Sequence, residues 1–204
     1  MLQLTPAQRV DSLLPRILEK YRDWKGIIST KRVTLERDLR PFGLWKKRST
    51  SLKSLARKME KLDGLLPSAR KDLQALPSIG PYVASAVLSQ YFGEPEPMID
   101  SNMARVLRRY WGLAPDKDIR CDKTLQALAR TMVTSPQFQD LNFAMLDLAA
   151  IVCLPRPRCA SCLMRIRCEY YRSGRGEASM PTRPASGLMR QRTRSPRESP
   201  PGPS

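Results

Sequence analysis

Two hundred and four residues suffice for one sizeable core or two small lobes, and 36 Lys and Arg against 19 Asp and Glu leave a net charge of +17. That charge calls for a polyanionic partner, nucleic acid or an acidic membrane surface. No apolar run approaches the roughly 20 residues of a membrane span and no signal-peptide pattern opens the chain, so the expectation is a soluble cytoplasmic protein. The absence of histidine removes Ser-His-Asp chemistry and every zinc site built on imidazole, leaving carboxylates, lysines, tyrosines and cysteines to carry any reaction.

In chain order, the first predicted element is a helix over 5–24. Thr5 suits its cap and Pro6 its first turn, while Val10, Leu13, Leu14, Ile17, Leu18, Tyr21 and Trp24 recur at helical spacing, with a bend expected at Pro15. Leu52, Leu55, Met59 and Leu62 predict a second basic amphipathic helix over 49–62. The stretch LPSIGPYVASAVL, 76–88, then breaks and restarts a helix within five residues. Gly80 is expected to take positive φ at the corner and Pro81 to start the next helix. Such a hairpin is either a plain connection or a device that aims amides at an anion. In MIDSNMARVLRRYWGL, 98–113, Asp100 precedes a helix with Val106, Leu107 and Tyr110 on one side. It reads both as an N-cap and as a carboxylate placed to stabilise positive charge, two compatible uses. KTLQALARTMV and LNFAMLDLAAIVC continue the helical period, no useful strand pattern occurs, and the predicted class is all-α.

Four of the five cysteines, Cys153, Cys159, Cys162 and Cys168, fall within sixteen residues, with gaps of five, two and five. Without histidine, four thiolates around a CxxC can hold an iron–sulfur cluster or a tetrahedral Zn2+. From Ser173 on, Pro, Ser and Gly make up half of the residues, so a disordered tail is expected over 172–204. Seven Arg against two Glu from Arg172 onward make it a cationic arm or a merely solvated terminus.

The three motifs, in this order, resemble the helix-hairpin-helix (HhH-GPD) base-excision DNA glycosylases with a terminal [4Fe-4S] loop, the superfamily of endonuclease III and the adenine-specific mismatch glycosylases. The resemblance runs from Met1 to about Tyr171. It implies a two-lobed all-α fold: residues 1–115 form a lobe with the hairpin at about 69–91, and 116–171 a helical segment with the cluster loop. It implies a monomer acting on double-stranded DNA with a mismatched or damaged base, with the target nucleotide flipped into a pocket between the lobes. Asp100 and Tyr82 become the catalytic candidates, Asp100 supporting the oxocarbenium-like sugar. Gln3, Ser78, Gly80, Asn102, Arg105, Arg156 and Arg158 become DNA-contact candidates, and the four cysteines the cluster ligands.

Tyr82 discriminates among branches, because bifunctional relatives place a Schiff-base lysine there and tyrosine cannot replace it. Thymine- and uracil-removing relatives resemble this chain in having tyrosine; the adenine-specific branch often has serine. The expected activity is therefore monofunctional removal of thymine or uracil opposite guanine. The alternatives are an adenine glycosylase and a DNA-binding protein that kept the fold without catalysis. The chain departs from the family pattern at Ser78, where glycine is usual, and in the first cysteine gap, one residue short. MLQLTPAQRV resembles the interior of the family's wedge helix, so the preceding family segment would lie upstream of Met1.

Overall fold

The computed structural model describes residues 5, 7–114 and 118–176. Among them every regular element is helical: α1 (Ala7–Lys20), α2 (Trp24–Ser29), α3 (Arg32–Leu39), α4 (Trp45–Glu60), α5 (Arg70–Gln74), α6 (Pro81–Gln90), α7 (Ser101–Trp111), α8 (Lys123–Met132), α9 (Phe138–Ile151) and α10 (Glu169–Arg172). The all-α expectation holds. Gln3, with residues 1–4 and 6 of the MLQLTPAQRV wedge reading, and the tail beyond Gly176 lie outside the described residues.

The helix predicted over 5–24 is two helices. The chain breaks after Lys20 because Asp23 starts α2, its Oδ1 accepting the Gly26 amide at 2.6 Å. Tyr21 is drawn inward at the break and its hydroxyl donates to Asp38 Oδ2 at 2.6 Å. Thr5 donates to the Phe42 carbonyl and accepts from Arg48 Nη2 at 2.9 Å, tying the chain start to the α3–α4 turn.

Three apolar clusters organise the molecule. Val10, Tyr21, Ile27, Leu35, Leu39, Phe42 and Ala56 join α1 to α4, and Met59, Leu73, Leu76, Ala84 and Leu88 join α4, α5 and α6. The third holds Met103, Ala104, Val106 and Leu107 of α7 with Leu125, Ala129, Met145 and Ala149 of α8 and α9. Although the boundary expected at 115 put α7 with the hairpin, its apolar face packs with the helices that follow. Asp122 starts α8 by accepting the Leu125 amide at 3.0 Å and pairs with Arg108 Nη2 at 3.1 Å, fixing α8 to α7.

One buried side chain joins the hairpin half to the rest. Asn142 of α9, 1% exposed, accepts the Met98 amide at 3.0 Å and donates to the Glu96 carbonyl at 3.0 Å and to Ser89 Oγ at 3.3 Å. Gln139 adds a bond to the Ser89 carbonyl at 2.6 Å. These contacts fix the connector between α6 and α7, and with it the position of Asp100 relative to α6. Among the described residues no helix is long and apolar enough to cross a membrane.

Candidate active site and cysteine loop

The hairpin is α5, a tight turn and α6. Bonds from the Leu76 amide to the Leu73 carbonyl and from the Ile79 amide to the Leu76 carbonyl make the corner, and the Ala84 amide bonds to the Gly80 carbonyl as α6 begins. The expected positive φ at Gly80 is wrong. Gly80 is extended (φ −83°, ψ 177°), and the left-handed residue is Ser78, at φ 65°. The corner falls two residues earlier because Pro81 needs an extended residue before it. A non-glycine in this region is strained by roughly 1–2 kcal/mol. Ser78 and Gly80 are both exposed, and no side chain caps α6, so its first-turn amides at Tyr82 and Val83 face outward without a side-chain acceptor.

Asp100 caps α7. Its Oδ1 accepts the amides of Asn102 and Met103, both at 2.8 Å, and its Oδ2 accepts Asn102 Nδ2 at 2.8 Å. The carboxylate thus has one oxygen locked into the helix end and the other steadied by an amide. Tyr82, eighteen residues earlier, is half-buried. Burial first, and the Asp100 charge second, hold its phenol above the usual tyrosine range. Tyr82 is therefore a neutral O–H donor at neutral pH, and Asp100 is near enough for its charge to be felt there.

Asn102, exposed, and Arg105, partly buried, share a chain of bonds. Arg105 Nη1 donates to Asn102 Oδ1 at 3.0 Å, Nε to the Cys153 carbonyl at 2.9 Å and Nη2 to the Ala149 carbonyl at 3.0 Å. The guanidinium closes the end of α9 and connects Asp100, through Asn102, to the first cysteine. Sequence spacing put Arg105 on the helix but carried no sign of its acceptors 44 and 48 residues away.

One turn further, Arg109 Nη1 approaches Cys153 Sγ at 3.4 Å and donates to the Leu154 carbonyl at 2.6 Å, and Nη2 donates to the Pro155 carbonyl at 2.8 Å. All four cysteines line one cavity with Arg109, Met164 and Tyr171. Burial pushes the Cys159 thiol up, with Cys168, Cys153 and Cys162 adding to the shift, as expected for sulfurs facing a common space. Among the described residues no three Cys, His, Asp or Glu side chains converge closely enough to hold one ion. The all-thiolate donor set fits an iron–sulfur cluster and a tetrahedral Zn2+ alike. Gly176, buried beyond α10, packs against two of the cavity's residues: a Cβ there would lie 3.1 Å from Cys159 Sγ and 2.8 Å from the Tyr171 ring. Arg156 and Arg158 are exposed on the first interval of the loop.

Residues 1–133 match the family described as HhH-GPD superfamily base excision DNA repair protein. The chain belongs to this superfamily. It is 34% identical over 173 residues to the thymine/uracil-DNA glycosylase of Methanothermobacter thermautotrophicus, covering 84% of this chain and 78% of that one. The solved structure of a thermostable thymine-DNA glycosylase superposes with TM-score 0.79 at 33% identity, covering 84% of this chain and 80% of the other. An adenine DNA glycosylase of Mus musculus is 32% identical over 190 residues, 90% of this chain but 37% of its own length. This HhH-GPD protein is a DNA glycosylase of base excision repair, a hydrolase of N-glycosyl bonds. Leu44, exposed and at φ 47° before the basic start of α4, is another left-handed non-glycine residue besides Ser78.

Proposed function

We propose that the protein is a monofunctional glycosylase that removes thymine or uracil opposite guanine from duplex DNA by hydrolysis. The observation that carries this reading is the pairing of a capped carboxylate, Asp100, with a neutral tyrosine at 82, where a lysine would be needed for lyase chemistry. Amides at the hairpin corner and the start of α6 bind a backbone phosphate next to the flipped nucleotide. As the C1′–N bond breaks, the base departs with the bonding electron pair and the sugar gains positive charge, which Asp100 Oδ2 stabilises. Water then adds to C1′ and loses a proton to solvent. Tyr82 donates a hydrogen bond but forms no bond to the sugar.

Cys153, Cys159, Cys162 and Cys168 hold a [4Fe-4S] cluster in this reading, with Arg109 beside Cys153 as a compensating charge. When bound, the cluster supplies a rigid cross-link for a loop with little core of its own. Arg156 and Arg158 contact phosphates.

The test is excision by purified protein on G·T, G·U and oxidised-G·A duplexes, with and without alkali, together with borohydride trapping. Release of thymine or uracil, an intact abasic strand before alkali and no trapped complex are expected. Adenine release would assign the other branch, efficient trapping would refute the monofunctional mechanism, and binding without excision would leave a DNA-binding protein.

A further inference from the structure

Two large aliphatic side chains stand in water where the loop has no structural need of them. Leu163 is 97% exposed and Ile166 79% exposed. The segment between Cys162 and Cys168 is a tight double turn, with amide bonds from Arg165 to the Cys162 carbonyl (3.3 Å), Arg167 to Met164 (3.3 Å) and Cys168 to Arg165 (3.1 Å). Leu163 and Ile166, three residues apart, are the exposed aliphatic side chains of this short double turn and make its tip apolar. Arg165 and Arg167 flank it, Arg156 and Arg158 stand on the neighbouring interval, and no acidic residue occurs from Cys153 to Cys168.

We propose that this tip enters the minor groove of the substrate duplex, beside the phosphates held by the loop arginines. The proposal rests on the glycosylase reading above and adds a second, uncharged binding term to it. Charge complementarity commits the surface to a polyanion, and the groove supplies what the aliphatic groups need. It is about 6 Å wide and walled by deoxyribose, and apolar wedges are a recurring device for entering it. The tip is pre-organised, because its ends are the two cysteines and the Cys168 Sγ contact to the Arg109 carbonyl at 3.5 Å ties it to α7. Little ordering is therefore lost on binding. Arg109 lies nine residues along α7 from Asp100. That is about 14 Å along the helix axis.

The experiment compares the full-length wild-type chain with Leu163→Ser/Ile166→Ser and with Arg156→Ala/Arg158→Ala, on a G·T duplex and a fully paired duplex. Both aliphatic positions are solvent-exposed, so the first variant is expected to melt as wild type does. It should bind both duplexes about tenfold more weakly at every salt concentration, with an unchanged slope of log Kd against log salt. The arginine variant should flatten that slope by about one unit per lost contact. Hydroxyl-radical footprinting should show loss of minor-groove sugar protection in the aliphatic variant alone. Single-turnover excision at saturating enzyme should be unchanged. If Kd and footprint match wild type while wild type binds and excises, this proposal falls and the glycosylase reading stands; if wild type binds no duplex, both fall. Tip-dependent binding of wild type to phosphatidylglycerol vesicles, with DNA binding unaffected by the double substitution, would assign the tip to a membrane surface and overturn it.

Discussion

Asp100→Asn separates the two uses of one side chain, and the bond pattern sets both magnitudes. Asn keeps an oxygen at the Oδ1 position, so the Asn102 and Met103 amide bonds survive. The Oδ2 position becomes an N–H2 group pointing at Asn102 Nδ2, a donor facing a donor. Either that bond is lost, or Asn102 flips and gives up its acceptor contact with Arg105 Nη1. One lost bond costs about 1 kcal/mol and the lost charge at the helix start about another 0.5 kcal/mol. For a chain of this size, that lowers the melting temperature by about 5 °C. Removing the charge that faces the developing cation should cost roughly 100- to 1,000-fold in single-turnover excision. The measurement pairs a thermal melt with excision and mismatch binding on the same preparation. A variant that melts lower, still binds the mismatch and barely excises fits both roles. Excision within about twofold of wild type, with the same melting loss, would show that Asp100 is only a cap and would refute the mechanism.

Three further outcomes follow from the same geometry. Arg105→Gln removes the link between Asn102 and the Ala149 and Cys153 carbonyls; it should destabilise by about 2–4 kcal/mol and lower kcat more than it weakens DNA binding, and Lys should not rescue it because one ammonium cannot span three acceptors. A kcat equal to wild type in the folded variant would confine Arg105 to stability. Ser78→Gly relieves the left-handed strain and should raise stability by about 0.5–1 kcal/mol in urea titration, less than the full strain because glycine also frees the unfolded chain; a loss of stability would contradict the assigned φ. Gly176→Ala forces a methyl against Tyr171 and Cys159 Sγ, so absorbance of an iron–sulfur cluster near 400 nm should decay faster in air than in wild type, and an equal decay rate would show that the close approach of Gly176 to Cys159 does not matter to the cysteine loop.

Much of this molecule was legible in the sequence because it is encoded locally. The apolar period of α4, α8 and α9, the Pro and Gly punctuation of the hairpin, the cap at Asp100 and the all-cysteine spacing each depend on residues within a few positions of one another. They determined an all-α chain, the place of its turn and the residues from which a site could be built. Tertiary structure decided the rest. The break after Lys20 depends on Tyr21 reaching Asp38, and the grouping of α7 with α8 and α9 depends on which helices its apolar face meets. At the hairpin the left-handed residue is Ser78 and not Gly80, because the restriction that Pro81 places on the residue before it outweighs glycine's conformational freedom. Arg105 shows the difference most directly. A period of 3.6 places it on α7, but its acceptors lie more than forty residues away, and whether a guanidinium meets water, phosphate or buried carbonyls depends on the chain folding those carbonyls against it.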